Sequence, residues 1–480
     1  MNRKEVLSTI NNLESEFPTT TWTIHGVHIW PYIRIQLLFF LYNSETNKSV
    51  NQALSVNEDV SLSRKFLLMI KGVLFIARIM FTSRKIKHLF FSYFSYSINS
   101  NGNQIDKFCE SIRNTFPSSS RVLQLRLGQK VAPVRRSGYL NIEPVFYLFE
   151  LIEFKLLRRI SGQQPEENLS RYNDFLQTTE KLTSIQFADF ISKEKITNQA
   201  LSIQLKAKLF KWIISRFKSE VVYQICYYNH LSINLAARNI GVPVVDIQHG
   251  IMGKINAHYM RWEQQPENGF NTLPTHFWCW DQEDVDHIND SHPGNPAFKG
   301  GNPWYQFFMK NQIEEITFDK TKKNILYTMQ NRTEILPDSL AESINKLPNT
   351  NWLIRMHPSH ISKKEQIIEA FAKKVKNDNI DFETANNRSL FTLLKHTDLH
   401  ITGYSATIVE ASMLGVKTLT LHPDAQHYFG GTSYEHLITY ADSDSDIKML
   451  IETTLEKSSE YEYSSELIDE VELLKFIKAS

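Results

Sequence analysis

The stretch DLHITGYSATIVEASMLGVKTLTLHP, residues 398–423, decides the fold of this chain. Its first part places apolar side chains at alternate positions and ends at Gly403, which predicts a short strand and a tight turn. The next part carries apolar side chains at helical spacing and closes on Gly415, a usual left-handed stop for a helix. The last part returns to a strand pattern and ends at Pro423. The stretch is therefore predicted to form a β-α-β unit.

The same alternation extends towards the N-terminus. A helix is predicted at SLFTLLKHT (389–397), and buried strands are predicted at WLIRMHP (352–358), KKNILYTMQ (322–330), THFWCW (275–280), VPVVDIQHG (242–250), EVVYQICYYN (220–229), RVLQLRL (121–127) and HLFFSYFSYSI (88–98). Strands that alternate with helices indicate parallel sheets with crossover helices. Ligands of such sheets bind beyond the carboxyl ends of the strands, so the residues that follow each strand are the candidates for a site.

The length of the chain bounds the number of domains. A chain of 480 residues is too long for one hydrophobic core. We predict an α/β protein with two Rossmann-like domains that face a cleft, and a helical N-terminal elaboration. The first domain spans residues 1–265 and includes an aromatic and basic helical segment at 20–87, and the second spans 266–455. Residues 456–480 are predicted to form a terminal helix.

Composition excludes several classes of protein. The formal net charge of +1 argues against a strongly basic nucleic-acid binder and against an acidic disordered chain. The three cysteines form no CxxC pair, which argues against a zinc knuckle or a disulfide framework and favours a reducing cytoplasm. The N-terminal residues are polar and lack the apolar region of a signal peptide. We therefore predict a cytoplasmic protein.

One segment suggests contact with a membrane. Between Val60 and Ile105 there are seven Lys or Arg residues and no acidic residue. The apolar stretch from Phe66 to Phe81 is interrupted by Lys71 and Arg78 and is too short for a comfortable membrane span. A basic amphipathic helix can lie on an anionic membrane surface, so residues 60–90 are predicted to touch the cytoplasmic face of the inner membrane. A buried helix with a solvated basic edge is the alternative.

The strand at 352–358 ends in a candidate phosphate site. His357 and Pro358 stand where the strand stops, because the residue before a proline is kept out of the helical conformation. Arg355 lies two residues earlier, on the same face of the pleat. A His–Arg pair at this edge suits a phosphate, although His357 could also serve only as the end of the strand.

A second candidate follows the strand at 398–403. Gly403 and Tyr404 make the turn, and Ser405 or Thr407 can cap the next helix, whose free N–H groups favour an anion. Glu410, one helical turn later, could bind ribose hydroxyls or could simply be a first-turn acid that favours the helix dipole.

Other candidates follow the strands at 322–330 and 275–280. Gln330 and Arg332 lie at the first of these ends, where Arg332 could hold a diphosphate or be an ordinary surface arginine. Asp281 and Glu283 follow the second and offer a carboxylate base, although they also fit an ordinary acidic helix start.

His249 is the main candidate base. It lies between the end of the strand at 242–250 and Gly250, and an imidazole of ordinary pKa is a suitable general base near neutral pH. A hydrogen-bonded turn histidine is the alternative.

Several known motifs are absent from the sequence. It contains no GxxxxGK[ST], no GxGxxG, no HExxH and no DxD-type pair at a strand end. We therefore expect no metal and no cofactor, and a chemistry in which His, Arg and helix N-termini stabilise negative charge.

The segments IRMHP (354–358) and GYSATIVEASMLGVKTLTLHP (403–423) resemble the donor half of glycosyltransferase-B enzymes. They are similar to the CMP-sugar-dependent sialyltransferases and Kdo transferases of bacterial capsule and lipopolysaccharide synthesis, and to the CDP-glycerol glycerophosphotransferases. The resemblance covers roughly residues 220–425. It implies that His357, Ser405 and Thr407 contact the nucleotide phosphate. It also implies that the terminal helix at 456–480 packs back on the first domain. His249-Gly250 is similar to the His-Gly turn that supplies the base in the glycerophosphotransferases.

The resemblance implies a metal-independent glycosyltransferase of bacterial surface polysaccharide synthesis. The first domain would bind a glycan or lipid-linked glycan acceptor, and the second a nucleotide sugar as substrate, with a CMP-activated acidic sugar of the Kdo or sialic acid type favoured. Three alternatives stay open: a CDP-polyol phosphotransferase, a nucleotide-sugar epimerase, and a non-catalytic polysaccharide assembly factor.

Overall fold

The computed structural model describes residues 3–43, 62–81, 85–100, 103–116, 119–126, 132–160, 166–183, 187–292, 294–311, 316–319, 321–330, 335–457, 461, 463 and 466–479. The chain divides into two compact units, Met1–Trp304 with Glu466–Ser480, and Tyr305–Ser465. Each unit is built on a parallel sheet flanked by helices, which confirms the predicted α/β class.

The described part of the first unit contains β1 (Thr23–Ile24), β2 (Val27–His28), β3 (His88–Tyr93), β4 (Ser97–Ser100), β5 (Asn103–Asp106), β6 (Ser120–Leu125), β7 (Tyr139–Asn141), β8 (Glu167–Asn168), β9 (Val221–Ile225), β10 (Val244–Ile247), β11 (His276–Cys279) and β12 (Ala297–Lys299). Its main sheet has seven parallel strands in the order β7-β6-β3-β9-β10-β11-β12. Chain order reverses between β3 and β9, which makes this pair the topological switch point of the sheet.

The strands of the first sheet are continuous apolar segments of sequence because they are buried on both faces. Every residue of β3, β9, β10 and β11 is buried, because helices cover both faces of a parallel sheet. The described helices of this unit are Arg3–Glu16, Trp30–Asn43, Leu62–Met80, Cys109–Thr115, Glu143–Ile160, Tyr172–Thr183, Ala188–Ile191, Lys193–Phe217, Leu231–Arg238, Gln282–Ser291 and Glu470–Ala479. None of the described helices is both long and apolar enough to cross a membrane.

A buried ion pair ties the N-terminal helices to the loop after β10. Arg34 Nε lies 2.9 Å from Glu14 Oε1, and both side chains are buried. Arg34 also donates to the carbonyls of Met260 and Arg261 at 3.1 and 3.0 Å. Glu14 accepts from the Trp30 indole N–H at 2.7 Å. This network replaces the water that both charges lose on folding.

The boundary between the units differs from the predicted one at 265/266. β11 pairs with β10, and β12 pairs with β11, so residues 276–299 complete the first sheet and the boundary falls inside helix Pro303–Lys310. Helix Glu470–Ala479 also belongs to the first unit. Its Glu470 carboxylate lies 2.5 Å from Lys87 Nζ and 3.0 Å from His88 Nε2.

The second unit contains β13 (Lys323–Thr328), β14 (Thr350–Arg355), β15 (Ile380–Asp381), β16 (Leu399–Thr402), β17 (Thr418–Thr420) and β18 (Ile438–Tyr440). They form one parallel sheet in the order β15-β14-β13-β16-β17-β18. Counted along the chain, this is the doubly wound order 3-2-1-4-5-6, with the switch point between β13 and β16.

Helices pack on this second sheet and close its core. They are Asp338–Lys346, Lys364–Lys374, Glu383–Asn387, Leu390–Leu394, Thr407–Ser412, Asp424–Phe429 and Ile447–Glu456. Trp352, Ile401 and Leu419 lie in its hydrophobic core, against Ile344 and Ile451 from two of the helices. The four strands predicted between residues 322 and 423 are all present, whereas β15 and β18 were not predicted.

Candidate functional site

The switch point of the second sheet brings the predicted phosphate-binding segments together. β13 is hydrogen-bonded to β14 on one side and to β16 on the other. All three strands are parallel, so the residues after Thr328, Arg355 and Thr402 lie at one edge of the sheet. A crevice outside this edge is where doubly wound sheets bind ligands.

The backbone turn after β16 packs closely against Gln330. The Tyr404 backbone N–H donates to Gln330 Oε1 at 3.3 Å. A Cβ atom added to Gly403 would lie 2.0 Å from the same oxygen. A side chain at position 403 would therefore displace the end of the Gln330 side chain, which joins the ends of the two strands at the switch point.

A buried network of hydroxyl groups surrounds His400 beneath this edge. His400 Nε2 lies 2.9 Å from Thr328 Oγ1, and Nδ1 lies 3.1 Å from Thr418 Oγ1. Thr402 Oγ1 donates to the Thr328 carbonyl at 3.0 Å. Burial lowers the pKa of His400 to about 3, so the ring is neutral near pH 7. The network fixes the ends of β13 and β16 relative to each other.

Ser405 and Thr407 both take part in local contacts of the turn. Ser405 Oγ accepts the Thr407 backbone N–H at 3.3 Å. The Thr407 hydroxyl lies 3.3 Å from Thr328 Oγ1 and 3.4 Å from His400 Nε2. Thr407 is thus linked to the buried network, and Ser405 shapes the turn that leads into helix Thr407–Ser412.

His357 follows β14 at the same edge of the sheet. It is partly buried, and its carbonyl accepts the His360 backbone N–H at 2.8 Å as the chain enters a 3₁₀ turn. Burial lowers the pKa of His357, and the neighbouring His360 lowers it further. Pro358 is exposed and begins the turn.

Arg355 is engaged within its own unit. Its Nη1 donates to the carbonyls of Ala385 and Arg388 at 2.7 and 2.8 Å, at the end of helix Glu383–Asn387. Burial lowers the pKa of the guanidinium, while the charge of Glu410 raises it. Arg355 therefore anchors a helix beside the site, and Glu410 lies within its electrostatic reach.

Aromatic side chains line the other side of Tyr404. The Tyr404 ring centroid lies 4.8 Å from that of His422 and 6.0 Å from that of Tyr428, whose plane is parallel. Tyr404 and His422 are partly exposed, whereas Tyr428 is buried and supports the Tyr404 ring from within the unit.

The first unit gathers titratable side chains at the ends of β9 and β10. His249 Nε2 lies 2.9 Å from Cys226 Sγ and 3.3 Å from Tyr228 Oη. The Tyr96 hydroxyl lies 2.9 Å from the same sulfur. Cys226 adopts a left-handed backbone with φ of 60°, which turns its side chain out of the sheet pattern at this edge.

Burial changes the acid–base character expected for these groups. It lowers the pKa of His249 to about 4 and raises that of Cys226 to about 12. The prediction that His249 has an ordinary pKa is therefore wrong, because the ring loses the water that would stabilise its charged form. At pH 7 His249 is neutral, and its buried Nδ1 has no hydrogen-bond partner among the described residues.

Gln248 holds the turn that carries His249. Its Oε1 accepts the Trp280 backbone N–H at 2.6 Å, and its Nε2 donates to the Gly250 carbonyl at 2.9 Å and to Asp284 Oδ2 at 2.5 Å. The imidazole therefore sits on a turn fixed to the ends of two strands, β10 and β11.

Asp281 and Glu283 belong to the start of helix Gln282–Ser291. Asp281 is the N-cap residue, and its Oδ1 accepts the Asp284 backbone N–H at 2.9 Å. Glu283 lies in the first turn, where acidic side chains favour the helix dipole. Both positions fit the helix-start alternative.

Arg332 lies outside the described residues. Across the described part of the chain, no group of three or more His, Cys, Asp and Glu side chains is arranged to hold a metal ion.

Several residues of these sites were not predicted from the sequence. Thr328 and His400 are polar residues inside apolar strands, and that exception to the pattern was the available signal. Cys226 and Tyr228 directly follow β9, so the carboxyl-end rule pointed to them. Tyr96 lies three residues after β3, so the same rule applies to it, but its contact with Cys226 spans 130 residues of sequence and could not be predicted.

Fold and site together define a two-unit α/β protein with a doubly wound switch point in each unit. No protein-family model matches the sequence, and no curated protein sequence matches it. Among solved structures, the chain is similar to UDP-GlcNAc 2-epimerase from Methanocaldococcus jannaschii in complex with UDP-GlcNAc and UDP, at 12% identity over 82% of this chain and 100% of that one, with a TM-score of 0.44.

Two further structures give similar values. The S. aureus MnaA–UDP co-structure is 11% identical over 78% of this chain and 88% of that one, with a TM-score of 0.43. The glycotransferase of kitacinnamycin is 10% identical over 78% of this chain and 91% of that one, with a TM-score of 0.42. Since these TM-scores lie below 0.5, the fold class rests on the strand orders described above.

Proposed function

We propose that this protein is a glycosyltransferase of the glycosyltransferase-B type that uses a nucleotide sugar as donor. The observation that carries the proposal is the strand order of the second sheet, which places Gln330, His357 and the Gly403–Thr407 turn at one switch-point edge. Doubly wound sheets bind nucleotides at such edges. The resemblance of residues 354–358 and 403–423 to donor-binding segments supports the same assignment.

In this proposal, the donor phosphate binds beside the turn after β16. His357 donates a hydrogen bond to the phosphate, together with the backbone N–H groups and the Ser405 hydroxyl of the turn. Thr407, Arg355 and Glu410 position these groups through the network around His400 and the anchored helix. Hydrogen bonds to an anion are shorter and stronger than neutral ones, so they stabilise the leaving nucleotide as its charge develops.

The acceptor binds the first unit, where His249 removes the proton of the attacking hydroxyl. The support is geometric: the buried Nδ1 of His249 has no hydrogen-bond partner among the described residues and is able to accept a proton. The lowered pKa of about 4 keeps the ring neutral at pH 7 but makes it a weaker base than an ordinary imidazole. The Cys226 and Tyr228 contacts fix the orientation of the ring. Asp281 and Glu283 are weaker candidates, because helix capping and the helix dipole account for their positions.

The finer assignment follows the resemblance. The donor is a CMP-activated acidic sugar of the Kdo or sialic acid type, and the acceptor is a glycan or lipid-linked glycan of a bacterial surface polysaccharide. The reaction takes place in the cytoplasm and needs no metal.

The test measures the products formed from CMP-sugars with and without a glycan acceptor. We expect release of CMP that depends on the acceptor, and loss of at least about tenfold of the rate in His357→Ala, since a hydrogen bond to a charged group contributes about 1.5–3 kcal/mol. His396→Ala is the matched control, because His396 precedes β16 at the opposite edge of the same sheet.

Other outcomes separate the alternatives. Donor consumption without acceptor would indicate an epimerase, and phosphorus in the product would indicate a polyol-phosphate transferase. If the donor is neither consumed nor bound, and polysaccharide assembly survives His357→Ala, the protein is a non-catalytic assembly factor.

A further inference from the structure

Helix Leu62–Met80 presents an apolar face that the first unit leaves exposed. Phe66 is 65% exposed, Leu74 is 63% exposed and the following Phe81 is 87% exposed. The exposed apolar residues recur at intervals that place them on one side of the helix: Phe66, Ile70, Val73, Leu74 and Phe81, with Leu67, Met69 and Met80 at the margins. We call this side the apolar surface face.

The opposite side of the same helix provides its packing contact. Gly72 is buried, and a Cβ atom added there would lie 2.4 Å from Leu148 Cδ1 and 2.5 Å from the Pro144 carbonyl oxygen. Ile79 is also buried. Close packing on helix Glu143–Ile160 thus fixes which side faces the unit, so the apolar surface face is additional to the side that forms the core. Contiguous exposed apolar patches of this kind mark interaction surfaces.

Basic side chains border the apolar surface face along one flank. Lys71 and Arg78 are two helical turns apart and therefore lie on the same flank of the helix. Together with Arg135, Arg136 and Tyr139 they line an open cavity of about 780 Å³. No acidic residue is among the described residues that line this cavity. The nearby Glu110 carboxylate forms ion pairs with Arg136 and Arg113, and the N–O distance is 3.2 Å in each pair.

We propose that the cavity and the apolar surface face together bind an anionic phospholipid leaflet. The headgroup phosphate enters the cavity between Lys71, Arg78 and Arg135, and the apolar surface face enters the acyl boundary. Charge complementarity favours lipid over a protein partner, because Lys71, Arg78 and Arg135 line the cavity and no acidic residue is among its described lining residues. This proposal is independent of the proposed transfer reaction and goes beyond it, since it assigns a phosphate-binding site on the first unit.

The experiment is flotation of the full-length protein with vesicles of phosphatidylcholine alone, or of phosphatidylcholine with about one third phosphatidylglycerol. We expect binding to the anionic vesicles only, weakened about tenfold or more by Lys71→Glu/Arg78→Glu and likewise by Phe66→Ser/Leu74→Ser. The matched controls are Lys373→Glu/Lys376→Glu and Met449→Ser, which change exposed residues of the same types in the second unit and should bind as the parent does.

A second arm separates the sources of phosphate. If glycerol 3-phosphate binds the protein tightly, and Phe66→Ser/Leu74→Ser leaves vesicle binding unchanged, the cavity is a site for a soluble phosphate and the proposal is wrong. Sedimentation velocity tests whether a second copy of the chain covers the apolar surface face. A dimer that dissociates in Phe66→Ser/Leu74→Ser would assign the face to that copy and would also overturn the proposal. Nucleotide titration of the same variants reports on the donor site separately, so the two proposals can fail independently.

Discussion

At the scale of single residues, the candidate site at the ends of β13 and β16 depends on close approach and on burial. At Gly403, the Gln330 side chain occupies the space that a Cβ atom would fill, so a substitution there must displace the Gln330 amide group. His400 is needed because it satisfies hydroxyl groups of two neighbouring strands in a place that water does not reach. Both residues help to fix the positions of the strand ends, and a substitution at each has an expected effect on stability that can be measured.

The first prediction concerns Gly403→Ala. The new Cβ would lie 2.0 Å from Gln330 Oε1, so the end of this flexible side chain must rotate away and lose its hydrogen bond with the Tyr404 N–H. The substitution should therefore lower the free energy of unfolding by about 0.5–1.5 kcal/mol. In a Gln330→Ala background the same change should cost well under about 1 kcal/mol, because the clashing side chain is gone. Urea unfolding of the four proteins measures the difference, and equal costs in both backgrounds would show that Gln330 is not the cause.

The second prediction concerns the pH dependence contributed by His400. Its pKa in the folded state is about 3, below the ordinary value of 6.5, so the unfolded chain binds more protons between these values. The stability that the neutral ring contributes is therefore present above pH 6.5 and is lost as the pH falls towards 3.

The measurement is urea unfolding between pH 7.5 and pH 4.5. His400→Gln should lose less stability on acidification than the parent, by up to about 1.4 kcal/mol per pH unit. His427→Gln, at an exposed histidine of the same unit, is the control and should follow the parent. If His400→Gln follows the parent curve as well, His400 is not neutral and buried as described.

At the scale of elements, the positions of the strands were easier to predict from the sequence than the sheet to which each strand belongs. Four strands between 322 and 423 are visible in the sequence because each is an apolar run that ends in Gly, Pro or a polar pair. β15 and β18 are only two and three residues long, too short for a periodic pattern. β11 was assigned to the second domain because nothing local in residues 275–280 specifies its partner, whereas pairing with β10 is a long-range contact.

For the candidate site, the positions of several residues were predicted from the sequence, but their contacts were not. The rule that ligands lie beyond strand ends selected His357, Gly403, Ser405 and Gln330, and the structure places all four at the switch-point edge of one sheet. The engagement of Arg355 with the carbonyls of Ala385 and Arg388 could not be predicted, because it depends on where a neighbouring helix ends. The lowered pKa of His249 depends likewise on its burial in the folded chain and on the charge of Lys107, which is distant in sequence.

The third prediction belongs to the elements that the Glu14–Arg34 pair joins. Arg34→Leu leaves Glu14 buried without its counter-charge, so it should lower the free energy of unfolding by about 3–5 kcal/mol. Lys448→Ala removes a more exposed pair with Glu452 and should cost about 0.5 kcal/mol or less. Urea denaturation compares the two. A cost for Arg34→Leu as small as that for Lys448→Ala would show that the pair does not anchor the N-terminal helices.

At the scale of the whole molecule, each unit is built on a parallel sheet with a switch point. The proposed function assigns the donor to the second unit and the acceptor to the first. The second unit contains the strand ends that are proposed to bind phosphate, and the first contains His249, which contacts Cys226 and Tyr228. The proposal of a nucleotide-sugar transferase therefore depends most on whether the second unit binds a nucleotide at its switch point.

The most direct test is calorimetric titration of the purified protein with CMP, CDP, UDP and GDP, repeated on His357→Ala and on the control His396→Ala. The account predicts binding of CMP in the parent and in the control, weakened at least about tenfold in His357→Ala. Preference for UDP would keep the nucleotide site and contradict the CMP-sugar donor. Absence of binding to all four nucleotides would contradict the central claim.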